Sequence, residues 1–170
     1  MIITDANDGK SQRSAFISDT LSPVWDSIKQ ITSQALGKGG KFLVPYVTGG
    51  GVYVAVIDQT RCAVNDTRGN GTITSLSVVA EIRQVGDAYY QRILDFTIEG
   101  DTLTIKTRII NTSGGEVSFD IAPEWANITP EIIIGNVDRV PVGFLKCPKD
   151  SRLEDEFYRN LQKARNEWFH

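Results

Sequence analysis

Histidine is almost absent from this chain: the one copy among 170 residues is His170, the last. A Ser–His–Asp or Cys–His constellation needs an imidazole to carry the proton, so that route to nucleophilic catalysis is all but closed. Multi-histidine zinc sites and the two-His-one-carboxylate iron site are closed outright. Cysteine is equally scarce. Cys62 and Cys147 lie far apart, at a spacing that matches no zinc or redox motif. Two reduced, partly buried thiols are expected, with pairing open only if the fold brings their strands together. No metal and no cofactor is expected.

No stretch approaches the ~20 consecutive apolar residues of a membrane span; the longest apolar-rich run, Gly51 to Ile57, has the length of a strand. The first ten residues lack a basic segment followed by an apolar core. No secretory signal is therefore expected, and the expected place of synthesis is the cytoplasm, without membrane contact. An excess of positive charge is missing too: 18 Lys+Arg stand against 21 Asp+Glu, a net charge of -3. Nucleic acid is not expected as a partner on that balance. The Asn-x-Ser/Thr triplets at Asn65, Asn70, Asn111 and Asn127 carry no glycosylation meaning without a secretory route.

What is present is an ordinary globular composition, 41% hydrophobic and 23% charged. The length suits one domain able to bury a core without metal or disulfide. Residues 1–20 are small and polar and read as a flexible N-terminal arm, leaving 21–170 as a single domain. Ser22 and Pro23 mark a helix start, and Val24, Ile28, Ile31 and Ala35 form one apolar stripe, which predicts a helix over 22–36 that stops at Gly37.

From Phe42 to Lys146 the chain reads as short strands. Gly49–Gly51 separates two of them as a hairpin, and Pro45 marks an edge or a bulge. Leu76, Val78, Ala80 and Ile82 alternate with Ser75, Ser77, Glu81 and Arg83, with Val79 as the exception. Tyr90, Arg92, Leu94, Phe96 and Ile98 follow after Gly86-Asp87. Leu103, Ile105, Thr107 and Ile109 follow after Glu99–Asp101, and Val117, Phe119 and Ile121 after Ser113–Gly115. Four such amphipathic strands in succession predict an antiparallel meander. Ile132–Ile134 and Val140–Leu145 add two more. A second helix is predicted over 151–168, opened by the Ser151/Glu154 capping box, with Leu153, Phe157, Leu161, Ala164 and Trp168 on one stripe. The expected fold class is mainly β, a β-sandwich or a partly open antiparallel barrel of about eight or nine strands, with one N-terminal and one C-terminal α-helix.

Candidate sites are few. Tyr89 and Trp125 are the aromatic residues placed to meet a ligand. Arg83, Arg92, Lys106 and Arg108 could share a sheet surface near the tyrosines. Asp120 and Glu124, beside Trp125, are the one carboxylate pair that sugar chemistry would use, but the expected reading of both is a solvated surface position. Gly37-Lys-Gly-Gly-Lys41 follows a helix and precedes a strand, the reverse of a phosphate loop. No catalytic residue is assigned. The stripe Leu153, Phe157, Leu161 and Trp168 must cover either the chain's own sheet or the same surface of another subunit, and is the candidate interface.

The hairpin Phe96–Ile105 resembles those of lipocalin-like barrels, which would imply a small-ligand-binding barrel. The leading expectation is different: a non-enzymatic structural or interaction domain. Its partners would be copies of itself and neighbouring assembly subunits, in the manner of a virus or phage particle component. A carbohydrate-binding or carboxylate-based carbohydrate-processing domain is the third expectation.

Overall fold

The computed structural model describes residues 13–16, 19–33, 39–48, 51–67, 69–100, 102–111, 116–121, 131–137, 140–148 and 152–168. Among the described residues ten strands and two α-helices follow one another as β1 (Arg13–Phe16), α1 (Ser22–Ile31), β2 (Lys41–Thr48), β3 (Gly51–Ile57), β4 (Cys62–Thr67), β5 (Ile73–Val85), β6 (Ala88–Glu99), β7 (Thr102–Asn111), β8 (Glu116–Ile121), β9 (Glu131–Val137), β10 (Val140–Leu145) and α2 (Arg152–Trp168). They form two five-stranded sheets, ordered β1-β9-β10-β2-β3 and β4-β5-β6-β7-β8. The molecule is a β-sandwich; no ladder among the described residues joins the sheets into a barrel.

The second sheet is the meander read from the sequence. Its turns are set by glycine: Gly86 (φ 61°) and Gly100 (φ 60°) occupy the first central position of two-residue turns between Val85 and Ala88 and between Glu99 and Thr102. That position needs the left-handed backbone that glycine adopts without a Cβ clash.

The first sheet holds what the sequence did not foretell. Arg13–Phe16, assigned to the flexible arm, is a strand paired antiparallel with β9, Arg13 opposite Ile134. Residues 1–12, the rest of that arm with 17 and 18, lie outside the described residues. The sheet is closed by a parallel pair, β10 with β2, from Val142–Lys41 to Phe144–Leu43. Pro45 lies past the end of that ladder, where β3 is the only strand neighbour of β2 among the described residues (Pro45 opposite Val54), so its missing N–H is tolerated as on an edge.

α1 begins at Ser22 and ends at Ile31, shorter than the predicted span; Gly37 lies outside the described residues. Ser22 is not the cap. Leu21 holds that place, and the Ser22 hydroxyl accepts the Ile73 N–H (3.1 Å) while the Leu21 N–H donates to the Ile73 carbonyl (2.7 Å). The start of α1 is thereby stitched to the start of β5. At its other end Thr32 folds back, its N–H and hydroxyl both donating to the Ile28 carbonyl. The Gly40 N–H donates to the Ile31 carbonyl (2.7 Å), so the chain re-enters the sandwich directly beneath the helix.

α2 lies on the first sheet. Leu153, Phe157 and Leu161 are buried in the same core cluster as the strands. The Phe157 ring lies 6.0 Å from that of Phe144, and the Asn160 amide donates to the Val52 carbonyl. With α2 on one face and the other sheet on the opposite one, Phe42 to Val47 are buried without interruption, the pattern of a strand covered on both sides. The helix stripe thus meets its own chain, and these three side chains offer no surface to a second subunit. The Trp168 side chain and Ser151 lie outside the described residues. Cys62 and Cys147 are both free thiols.

Candidate functional site

The alternation in β5 holds through Leu76 and Val78, both buried. It then breaks. Val79 pairs with Ile93 and Glu81 with Arg92, so β5 advances two residues while β6 advances one, and Ala80 is the extra residue of a β-bulge. Every later side chain of β5 changes face. Glu81, Arg83 and Val85 turn to the side of Arg92 and Tyr90, and Ile82, expected to point inward, turns outward and is 44% exposed.

The turned residues close a cleft against the β2–β3 hairpin. Tyr46, Thr48 and Tyr53 line one wall and Glu81, Arg83 and Arg92 the other, around a volume of about 280 Å³. A contiguous hollow of about 260 Å³ shares Glu81, Arg83 and Arg92 and adds Val85, Tyr90 and Ile109. Arg92 Nη1 donates to Thr48 Oγ1 (2.9 Å), linking the two walls. Arg83 Nη2 lies 3.2 Å from Glu81 Oε1. The Tyr46 and Tyr53 rings are 5.8 Å apart and tilted by 31°.

Tyr46 is the buried member of the set, 5% exposed, and its hydroxyl makes no hydrogen bond among the described residues. Its pKa is pushed up to about 12, first by burial and next by the Glu81 carboxylate, against the opposing pull of Arg92. The phenol therefore stays protonated at neutral pH. Among the described residues, two guanidiniums and one carboxylate line the cleft, a formal balance of one positive charge.

The bulged part of β5 has another property. β4 pairs with β5 only as far as Val78. From Val79 to Val85 the sole strand neighbour among the described residues is β6. This projecting hairpin carries exposed apolar side chains on both faces: Ile82, Val85 (56% exposed) and Tyr89 (47%).

Of the residues singled out in the sequence, Tyr89 lies on the outer face of this hairpin, opposite Gln84 and away from the cleft that Tyr90 lines. Trp125 and Glu124 lie outside the described residues, as does the side chain of Asp120. The four basic residues do not share a surface. Arg83 and Arg92 meet in the cleft, whereas Arg108 bonds Asp95 on the opposite face, Nε to Oδ2 2.6 Å. Gly40 of the glycine-rich segment is packed against Ile31 and Pro141, with its N–H already bonded, so it serves helix–strand contact and not phosphate. Tyr46, Tyr53 and Glu81 were missed. The signal was the run Val78-Val79-Ala80, whose exception to alternation is the footprint of the bulge.

No family model, no curated protein and no solved structure matches the chain. Among the described residues no helix is long and apolar enough to cross a membrane, and no group of three or more His, Cys, Asp or Glu is placed to hold a metal ion.

Proposed function

We propose that this chain is a non-enzymatic interaction domain that associates with copies of itself. The observation that carries the reading is the projecting β5–β6 hairpin, with a strand edge that no described residue pairs and three exposed large apolar residues. Unpaired edges are normally guarded, because they template pairing with another chain. A repeating assembly, such as a virus or phage particle, is the setting in which we place it, by analogy of architecture. Light scattering coupled to size-exclusion chromatography over a range of concentrations tests the reading. A discrete oligomer is expected; a monomer throughout overturns it.

A second reading, small-ligand binding in the cleft, is favoured by the buried Tyr46 hydroxyl. A buried polar group that no described residue pairs calls for an explanation, and a bound ligand supplies one. The single positive charge and the hydroxyls of Tyr46, Tyr53 and Thr48 suit a small hydroxylated monocarboxylate, the acidic form of carbohydrate. Titration of isotope-labelled protein with glucuronate, against glucose and acetate, tests it. Saturable shifts at Arg92 with glucuronate alone are expected; their absence removes the reading.

A further inference from the structure

We infer that two copies of the chain join edge to edge through β5, antiparallel and centred on Ile82, so that the second sheet continues from one copy into the other. The inference rests on the self-association proposed above and adds its surface and its register.

Backbone direction selects the centre. Val85 and Ala88 flank a two-residue turn, and such flanking residues exchange both backbone hydrogen bonds. Counting back in twos, Arg83 and Glu81 also turn their N–H and C=O towards β6. Gln84 and Ile82 turn theirs to the open side. Ile82 can therefore form a hydrogen-bonded pair with its own copy across a two-fold axis. No proline interrupts residues 79–85.

Side-chain chemistry selects the same register. With Ile82 on the axis, Glu81 faces the partner subunit's Arg83, and by symmetry Arg83 faces the partner subunit's Glu81. The bulge at Ala80 ends the regular register beyond these pairs. Opposite charges thus fall directly across from one another on either side of the Ile82 pair, the arrangement that stabilises adjacent strands. Moving the axis to Glu81 or to Arg83 would set like charges face to face. Moving it to Gln84 would set Arg83 against Val85. An edge guarded against pairing carries charges of one sign or a proline; this one carries opposite charges placed symmetrically about an isoleucine.

Charge reversal gives a test with an internal rescue. Glu81→Arg and Arg83→Glu each place like charges across the axis twice and are expected to weaken association at least about tenfold. Mixed in equal amounts, the two variants restore opposite charges at both crossings, and a heterodimer as tight as the wild type is expected. Both side chains lie at the surface, and circular dichroism confirms that each variant folds. If the wild type associates while either single variant does so equally well, or the mixture stays dissociated, this register is overturned and self-association stands. If the wild type is monomeric, both fail.

Discussion

The Arg108 guanidinium reaches diagonally from β7 to Asp95 on β6, with Nε 2.6 Å from Oδ2 and Nη2 3.4 Å from Oδ1. Asp95 also accepts from the Ser77 hydroxyl, which in turn accepts from the Asn65 amide. One polar chain therefore crosses four strands on the outer face of the second sheet. Both partners of the ion pair are mostly covered, and the forked geometry gives two charge-assisted bonds.

Arg108→Ala is accordingly expected to cost about 1–2 kcal/mol, above an exposed surface pair and below a fully buried one. Arg108→Lys should recover only part of this, because an ammonium lacks the planar fork. Urea unfolding monitored by circular dichroism measures both; an unchanged midpoint for Arg108→Ala would show the chain to be ornamental.

Two glycines differ in what surrounds them. A Cβ at Gly40 would lie 2.2 Å from the Pro141 carbonyl oxygen and 2.5 Å from that of Ile31, both backbone atoms. A Cβ at Gly143 would meet the Ile31 Cδ1 end at 2.3 Å and the Phe42 ring at 3.0 Å. Side-chain ends can rotate away and carbonyls of a sheet and a helix end cannot. Gly40→Ala is expected to cost about 3 kcal/mol or to prevent folding, and Gly143→Ala clearly less. Thermal denaturation of the pair checks the order.

Phe157 has no exposed surface and meets the rings of Phe144 and Tyr158. Phe157→Ala should cost about 3–5 kcal/mol, the usual loss for an emptied aromatic site. Its oligomeric state, measured under folding conditions, should match the wild type, because the helix stripe contacts its own chain.

Stability should be lost on the alkaline side. Burial first of all raises Cys62 from 9.0 to about 12, and Tyr46 and Tyr158 from 10.0 to about 12. Below pH 9 both folded and unfolded chains hold these protons, and they contribute no pH dependence. Between pH 9 and 12 the unfolded chain releases protons that the folded one retains, so stability falls as pH rises. Scanning calorimetry should show a melting temperature with no fall from these groups up to pH 9 and then declining. Tyr46→Phe should make the decline shallower above pH 10, and at pH 7 should be neutral or raise stability by up to about 1 kcal/mol, since it removes a buried hydroxyl that no described residue pairs.

Much of this fold was legible in local pattern. The stripes Val24–Ile28–Ile31 and Leu153–Phe157–Leu161 gave both helices, and the turns at Gly86 and Gly100 gave the meander, because spacing and turn chemistry act over a few residues. What failed was long-range or hidden by the letters. Arg13–Phe16 is short, and it becomes a strand because β9 offers it an edge. The parallel meeting of β10 with β2 joins segments about a hundred residues apart, which no local rule specifies. The cleft was missed because the letters from Leu76 to Ile82 keep period two except at Val79, while the ladder loses a step at Ala80. One slipped residue moved Ile82 out and Glu81 and Arg83 in.

The parallel pairing also sets a timetable for synthesis. The meander from β4 to β8 is built from neighbours and can form as the chain emerges. The hairpin of β2 and β3 is made first, yet it waits with one flank bare until β10 has been translated, about a hundred residues later. A ribosome that stalls before Leu145 therefore leaves an apolar ribbon, Phe42 to Val47, without its lid or its neighbour, and nascent chains caught there are the ones that chaperones must hold.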